Sequence, residues 1–229
     1  MTKRRVHFVL STHWDREWRT NFQELRYDLV RLMDSVLAGL EDGRLLGPFT
    51  TDGQSIVVED YLEIRPERRE QIERLAGEHK LSIGPWYVMP DVFLVSGESL
   101  IRNLRYGREL ARQFGGQPSA AGYVCDMFGH NSQLPQLFAG FGLTGALVWR
   151  GLNLLDRRNL IWDGADGTKL PTYRFGNHGY GRYAFVVRRG HEFEAAHDPS
   201  RFPALLDDYL REESQATDVD PILMLDGCD

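Results

Sequence analysis

The chain has 229 residues, of which 42% are hydrophobic and 26% are charged, and its formal net charge is −6. This is the composition of an ordinary globular protein, and the length suits one large α/β domain or part of a larger protein. The negative charge argues against nucleic acid as a partner, because proteins that bind nucleic acid usually present a basic face.

The sequence shows neither a membrane span nor a secretion signal. No apolar run approaches the roughly 18 to 20 residues that cross a bilayer. The basic residues 3–5 lead into only about five apolar residues before Ser11, too few for a signal peptide. Two cysteines, Cys125 and Cys228, are too few for a disulfide framework in a chain of this size. We therefore expect a cytoplasmic protein with reduced thiols and no membrane partner.

Strands and helices alternate in the first half of the chain. A strand is predicted over 5–10, and the apolar residues of 22–40 recur at steps of mostly three or four, as on one face of a helix. A short strand with a turn, "GPFTTDGQ", follows at 47–54. Helical patterns then cover 56–64 and 66–79, and the second begins with proline, which suits the first turn of a helix.

The same alternation continues in the second half. "KLSIGPWYVMPD" predicts a strand that leads into a loop, and a helix over 98–114 ends at a Gly-Gly pair, a common stop signal. Residues 160–174 indicate a hairpin or an excursion from the main sheet, whereas 176–199 are typical of a long loop. The remaining predicted elements are a strand in "SAAGYVCD", a short helix in "LPQLFAGFG", a strand in "GALVWRG", a helix over 203–213 and a strand in "PILMLDG".

This order predicts an α/β fold in which helices cover a mostly parallel sheet. A closed barrel and an open doubly wound sheet both fit, because periodicity does not report how the edges of a sheet meet. The sequence contains no internal repeat, low-complexity tract or linker, so we expect residues 1–229 to belong to a single domain.

Ionisable side chains follow several of the predicted strands. His13 and Asp15 come after the first strand, Asp126 follows "GYVC", and Asp229 follows "ILMLDGC". Because α/β folds place their chemistry at the carboxyl ends of parallel strands, these groups are expected to converge on one edge.

His13 and Asp15 are two positions apart, so both side chains project from the same side of an extended segment. An imidazole nitrogen with carboxylate oxygens is a ligand set that suits zinc. The pattern also fits a hydrogen-bonded histidine beside an aspartate that caps a helix, and Asp126 equally fits a turn. His130 is a further candidate ligand, although a lone loop histidine is more often structural.

Four aromatic residues, Trp14, Trp18, Phe128 and Trp149, lie close to these positions. Aromatic side chains mostly fill protein cores, yet those at strand ends also stack on the apolar face of a sugar. Both interpretations stay open at this point.

Four blocks of the sequence, in order, carry a family resemblance: "STHWDREW", "DGQSIVVEDYLEIRPE", "GPWYVMPDVFLVSGESLIRNLRYG" and "CDMFGHNSQLPQ". From about residue 5 onward the chain resembles the N-terminal catalytic domain of the family 38 glycoside hydrolases, the retaining α-mannosidases, and their bacterial, cytosolic branch in particular. The resemblance implies a seven-stranded β/α barrel of mostly parallel strands with outer helices, one catalytic Zn²⁺ and an α-mannoside substrate.

The resemblance also implies roles for individual residues. His13 and Asp15 match zinc ligands, and Asp126 matches the aspartate that is both ligand and nucleophile. Trp18 and Phe128 match aromatics that line the mannose pocket. Beyond these five, Arg150 matches an arginine near the nucleophile, and Asp229 falls where the family has its general acid/base.

The family's fourth protein ligand, a histidine, lies farther along than this sequence extends. The chain is therefore expected to be truncated relative to the family, with weak metal binding and little or no activity by itself. Retention requires two carboxyl groups about 5 to 5.5 Å apart. Asp126 would attack the sugar, and Asp229 would need a raised pKa to hold a proton near neutral pH.

Two rival functions remain. A zinc-dependent carbohydrate deacetylase would use a related barrel, but it would need an H-x-x-x-H pair, which the sequence does not contain. A non-catalytic carbohydrate-binding domain would tolerate loss of the catalytic carboxylates, and the presence of Asp126 and Asp229 argues against that decay.

Overall fold

The computed structural model describes residues 4–151, 156–188 and 198–227. Within these ranges the strands are β1 (Val6–Ser11), β2 (Phe49–Thr50), β3 (Leu81–Ser82), β4 (Ala121–Val124), β5 (Gly145–Val148), β6 (Asn159–Asp163), β7 (Lys169–Arg174) and β8 (Ile222–Asp226). The α-helices are α1 (Phe22–Asp42), α2 (Ile56–Leu62), α3 (Arg69–Gly77), α4 (Gly97–Gln113), α5 (Leu134–Gly140) and α6 (Phe202–Ala216). Short 3₁₀ turns lie at Pro66–Arg68, Gly179–Gly181 and Pro199–Arg201, and a π-helical turn lies at Ala184–Arg188.

The two longest helices begin where the sequence provides a capping side chain. At the start of α1, the Asn21 side chain accepts hydrogen bonds from two backbone amides of the first turn, and Gly43 ends the helix with a φ of 78°. Ser96 caps α4 through one backbone amide in the same way. These caps satisfy backbone groups that have no partner inside the helix, which fixes where each helix begins.

The strands form two four-stranded sheets. The first has the order β3-β2-β1-β8, and all of its strands are parallel. The second has the order β4-β5-β7-β6, in which only the edge strand β6 is antiparallel. The prediction of an α/β fold with mostly parallel strands is confirmed, and β6 with β7 forms the hairpin predicted in 160–174.

A closed seven-stranded barrel is not what the described residues form. Their strands number eight, and no ladder among them joins β3 to β4 or β8 to β6. Both β2 and β3 are only two residues long, so little backbone is available there to continue the pairing. On the other side, the antiparallel β6 occupies the edge of the second sheet, where a parallel neighbour would have to pair.

Side chains from both sheets nevertheless share one core. Its buried members come from β4, β8 and the segments that follow β4 and β7, namely Tyr123, Cys125, Phe175, Tyr180 and Leu225. Helices α1 to α4 pack against the outside of the first sheet, and α1 buries one face through Leu29, Met33, Leu37 and Leu40. This burial removes apolar surface from water and holds the layers together. Among the described helices, none has the length and apolar character needed to span a membrane.

The segment after β7 differs from its prediction. We expected a long loop over 176–199, but its described part contains the turn Gly179–Gly181 and the π-helical turn Ala184–Arg188. Tyr180 from this segment is buried in the core between the sheets. Glycine, histidine and arginine dominate the segment's composition, so its sequence gives no helical periodicity to read.

Candidate metal centre

Three of the predicted site residues meet at the carboxyl ends of β1 and β4, one strand from each sheet. His13 and Asp15 follow β1, and Asp126 follows β4 after one intervening residue. One ligand atom from each of the three residues lies within 4.8 Å of the others. Strand ends that are more than a hundred positions apart in sequence thus converge, as the strand-end pattern predicts.

His13 lies at the centre of this group and is only 4% exposed. Its Nε2 atom is 3.5 Å from Asp15 Oδ1 and 3.3 Å from Asp126 Oδ2. Although these contacts are short, neither ring nitrogen has an aligned hydrogen-bond partner among the described residues. A buried polar atom without such a partner is rare in folded proteins, and strain, a water molecule or a bound ion accounts for it. Nitrogen and carboxylate ligands that face a common point fit a cation such as Zn²⁺.

A further carboxylate, Asp52, lies on the opposite side of the imidazole. Its Oδ2 atom is 3.0 Å from His13 Nδ1, and its side chain is fully buried. The same oxygen accepts hydrogen bonds from the backbone amide of Trp14 at 2.9 Å and from Gln54 Nε2 at 3.1 Å. From the sequence, "DGQ" at 52–54 is predicted to be first of all a turn, with an approach to the pocket left open; the contact of Asp52 with His13 is found only in the folded chain.

The carboxylates decide the protonation state of His13. Burial lowers the pKa of the imidazole, but the nearby charge of Asp52 and the contacts with Asp126, Asp15 and Asp52 outweigh burial and raise the pKa to about 12. Without a metal ion, His13 therefore holds a proton among three acidic groups. Three carboxylates around one imidazolium leave an excess of negative charge, which favours a divalent cation at this point.

Asp126 is shared between His13 and Arg150. Arg150 contacts Asp126 Oδ1 through Nε at 2.9 Å and Nη2 at 2.7 Å, while Asp126 Oδ2 faces the imidazole. Burial raises the pKa of Asp126, but hydrogen bonds from His13 and Arg150 prevail, so the pKa is lowered. The Arg150 guanidinium in turn lies 4.5 Å from the ring centre of Trp149 and 5.1 Å from that of Phe128. Asp126 is thus an ionised carboxylate in a fixed position.

A small cavity of about 200 Å³ opens beside these groups. Its wall includes His13, Asp15, Asp126 and the aromatic side chains of Trp14 and Phe128. Phe128 is 72% exposed, so one ring face is available for stacking. The cavity therefore combines acidic groups with an exposed aromatic face, which is the composition expected of a sugar site.

Other predicted residues lie away from the cluster. Trp18 is 62% exposed and stacks with the Arg19 guanidinium, and it is not among the described residues that line the cavity. His130 Nε2 lies 2.9 Å from the Arg150 backbone oxygen, so His130 contacts the loop that carries Arg150 and is no member of the ligand group. Asp229 lies outside the described residues.

Tyr180 is a site residue that the sequence did not reveal. Its ring lies 4.4 Å from the His13 ring, centre to centre, at an interplanar angle of 32°. Tyr180 also meets Trp149 edge-on at 5.5 Å, which connects the ring stack to the segment that carries Arg150. The Tyr180 ring thus covers one face of the His13 imidazole, and no local pattern in the sequence predicts this contact.

An α/β domain with a histidine and carboxylate cluster at its strand ends is a scaffold for metal-assisted chemistry. The sequence profile of the glycosyl hydrolases family 38 N-terminal domain matches residues 3–229. The chain belongs to this family.

Individual relatives agree with the family match. A protein of Halalkalibacterium halodurans, provisionally named a mannosylglycerate hydrolase, is 32% identical over 240 aligned residues, which cover 99% of this chain and 26% of that protein. An alpha-mannosidase of Saccharomyces cerevisiae is 28% identical over 174 aligned residues, covering 73% of this chain and 16% of the yeast protein. The chain thus spans about a quarter or less of the length of these relatives.

The crystal structure of an alpha-mannosidase from Enterococcus faecalis V583 shares the fold. The TM-score is 0.88 at 31% sequence identity, and the match covers 99% of this chain and 25% of that one. The arrangement of both sheets and their helices is therefore the arrangement of this family's N-terminal domain.

Proposed function

We propose that this chain provides the metal-binding and nucleophile-bearing part of a zinc-dependent retaining α-mannosidase. The single observation that carries the proposal is Asp126, whose carboxylate faces the His13 imidazole with one oxygen and the Arg150 guanidinium with the other. Membership of family 38 supplies the reaction class, since its relatives are named for mannoside hydrolysis.

His13, Asp15 and Asp126 would hold the Zn²⁺ ion. A nitrogen and two carboxylate groups form a borderline ligand set that suits this metal. When bound, the ion would supply Lewis-acid stabilisation and a template for neighbouring sugar hydroxyls. The Nε2 atom of His13 supports this assignment, because it is buried without an aligned hydrogen-bond partner, 3.5 Å from Asp15 Oδ1 and 3.3 Å from Asp126 Oδ2.

Asp126 would act as the nucleophile. Its carboxylate forms a bond to the anomeric carbon while the glycosidic bond breaks, and the departing oxygen takes a proton from a second carboxyl group, for which Asp229 is the candidate. In the second step water adds to the anomeric carbon, its proton returns to that carboxylate, and the ester to Asp126 breaks. The lowered pKa of Asp126 keeps the nucleophile ionised.

Substrate binding would involve the aromatic and cationic groups near the cavity. The exposed ring of Phe128 would stack on the sugar, and Arg150 would hold the nucleophile in place. Trp18 retains its proposed place in the mannose site, although it does not line the cavity. The substrate would be an α-mannoside, either a glycan or a mannosylated small molecule, and the protein would act in the cytoplasm.

The test combines metal analysis with hydrolysis of an aryl α-mannoside. It uses this chain and a form extended to the length of its curated relatives, because the chain spans about a quarter or less of their length. Asp126→Ala should abolish both tight zinc binding and turnover in the extended form. A matched change at a surface carboxylate, Asp163→Ala, removes only an exposed ion pair with Lys169 and should change neither quantity.

Near-normal turnover by Asp126→Ala would show that another residue is the nucleophile. Release of acetate from an N-acetylated sugar without glycosidic cleavage would favour the deacetylase instead. Binding of mannosides with no turnover in the presence of zinc would favour a carbohydrate-binding domain.

A further inference from the structure

The proposed metal site has a support that belongs to a different segment of the chain. Residues 51–54, "TDGQ", form a turn after β2, and the side chains of Thr51, Asp52 and Gln54 are almost completely buried. Thr51 Oγ1 donates to the Gln54 backbone oxygen at 2.6 Å, and the Gln54 backbone N–H donates to the Thr51 backbone oxygen at 2.8 Å. Paired hydrogen bonds inside a buried turn leave it little freedom to move.

The backbone of this turn is unusual at Asp52. Asp52 has a φ of 54°, in the left-handed region that non-glycine residues seldom adopt. The next residue, Gly53, has a φ of 70°, and a Cβ atom there would lie 2.5 Å from the Tyr123 side chain. The turn thus packs against β4 so closely that no side chain larger than that of glycine fits at position 53. The strained conformation is held in place by its surroundings and directs the Asp52 carboxylate toward the first strand.

Asp52 reaches two adjacent residues after β1. Its Oδ2 atom is 3.0 Å from His13 Nδ1 and accepts the Trp14 backbone N–H at 2.9 Å. Gln54 reinforces this contact, because Nε2 donates to the Trp14 backbone oxygen at 2.9 Å and Oε1 accepts the Met89 amide at 2.9 Å. The turn therefore holds both the imidazole and the backbone beside it.

The two imidazole nitrogens face different partners. Nδ1 faces Asp52, while Nε2 faces Asp15 and Asp126. A histidine that binds metal through one nitrogen usually donates the N–H of the other to a carboxylate or carbonyl, which fixes the ring and raises its basicity. Asp52 occupies the place of that second partner.

We infer that Asp52 is a positioning residue, which orients His13 so that Nε2 is presented to the metal ion between Asp15 and Asp126. The inference rests on the proposed function, since it needs the metal at this site. It adds a residue that touches neither metal nor sugar and acts only through His13. Because the turn is buried, the Asp52 carboxylate is held in place and can keep the His13 ring close to both Asp15 and Asp126.

The test measures metal binding, so it does not depend on turnover. Zn²⁺ dissociation constants are obtained by competition with a chromogenic chelator, and Co²⁺ absorption spectra report the ligand geometry. Asp52→Ala should weaken Zn²⁺ binding by about 10- to 100-fold and alter the Co²⁺ spectrum. Asp52→Asn should lose less, because its amide oxygen can still accept a hydrogen bond from Nδ1–H.

Asp34→Asn is the matched control for general destabilisation. Asp34 accepts hydrogen bonds from the Tyr61 hydroxyl at 2.7 Å and from Arg65 at 3.2 Å, and it contacts no residue of the proposed metal site. This variant should keep the wild-type Zn²⁺ affinity and Co²⁺ spectrum. Thermal unfolding of each metal-free variant establishes that the proteins compared are folded. If Asp52→Ala is not folded, the Zn²⁺ affinity and Co²⁺ spectrum of Asp52→Asn decide whether Asp52 positions His13.

Three results would overturn the inference. One is wild-type Zn²⁺ affinity and an unchanged Co²⁺ spectrum in Asp52→Ala, or in Asp52→Asn where it alone folds. A second is an equal loss of affinity in Asp34→Asn, which would trace the effect to stability. The third is the absence of Zn²⁺ binding by both the wild-type chain and its extended form; that result would also reject the proposed function, whereas the first two leave it standing.

Discussion

Two buried clusters of charged residues in this molecule have opposite characters. The rim cluster, consisting of His13, Asp15, Asp52 and Asp126, places three carboxylates around one imidazole whose nitrogens lack aligned hydrogen bonds. The Glu213 cluster, consisting of Glu212, Glu213, Arg158, Arg182 and Tyr173, is centred on the carboxylate of Glu213, which is 2% exposed.

The Glu213 cluster is complete as it stands. Arg158 donates to both oxygens of Glu213, at 2.8 and 3.1 Å, and Arg182 bridges Glu213 to Glu212. Tyr173 adds its hydroxyl to Glu213 at 3.2 Å. Two guanidinium groups thus match two carboxylates, and each group is hydrogen-bonded, which is how buried charge is tolerated in a structural role.

The two clusters differ in charge balance and in hydrogen bonding. Both clusters are buried and both join segments that are distant in sequence. Only the rim cluster has an excess of one sign of charge and a buried nitrogen without a properly aligned partner. Those two features, more than burial itself, favour a cation at the rim cluster, as the proposed function requires.

The largest effect is expected from removing the centre of the structural cluster. Glu213→Ala would leave two buried guanidinium groups without their shared carboxylate, so the free energy of unfolding should fall by about 3 to 5 kcal/mol. Denaturant unfolding measures this loss. Zn²⁺ affinity of the folded protein should not change, because no rim residue contacts Glu213.

If Glu213→Ala does not fold, Glu213→Gln provides the same comparison with a smaller loss. A Glu213 variant that stays folded but loses Zn²⁺ binding would contradict the separation of the two clusters.

A smaller effect, specific to the rim cluster, is a pH dependence of zinc binding. The pKa of His13 is raised to about 12 in the metal-free chain, so the ring is protonated at neutral pH and must release that proton when a metal binds. Zn²⁺ affinity should therefore rise with pH, by about tenfold per pH unit for one released proton. Titration calorimetry in two buffers with different ionisation enthalpies counts the protons released.

The sign follows from which state carries the proton. The metal-free chain holds an additional proton on His13 and the zinc-bound chain does not, so low pH favours the metal-free form. Zinc affinity that stays constant from pH 6 to pH 8 would show that His13 is neutral before the metal arrives, or that it is no ligand.

The smallest effect is expected at a helix cap that belongs to neither cluster. Asn21→Ala removes the side chain that caps α1, and the free energy of unfolding should fall by about 1 kcal/mol. Zinc affinity should stay unchanged, although Asn21 lies on the segment that also carries His13 and Asp15. A large loss of zinc binding in this variant would mean that the start of α1 sets the geometry of the rim cluster.

Much of the fold was predictable because its signals are local. The apolar spacing over 22–40 predicts a helix, and the observed α1 extends from Phe22 to Asp42 between the Asn21 cap and Gly43. Polarity and Asp-Gly pairs in 160–174 indicate the β6-β7 hairpin. How the sheets meet was not predictable, since strand closure depends on contacts between edges that no periodicity reports.

The candidate site also has a part that the sequence predicts and a part that it does not. His13, Asp15 and Asp126 could be proposed together, because the residues that follow parallel strands are expected at one edge of the sheet. Asp52 and Tyr180 could not. Asp52 sits in a turn like many others, and Tyr180 lies in a segment without a periodic pattern, so only contacts across the folded chain show that both touch the His13 ring.

By itself, the sequence determined the order of strands and helices and the ligand types that follow the first and fourth strands. These depend on backbone propensity, spacing and chemical identity, all of which are written within a few residues of each other. The tertiary structure alone decided that two open sheets share a core, that a buried turn 39 positions after His13 faces its Nδ1 atom, and that Trp18 lies away from the cavity. Such relations arise from packing between distant segments, where the free energy depends on shape and charge in three dimensions.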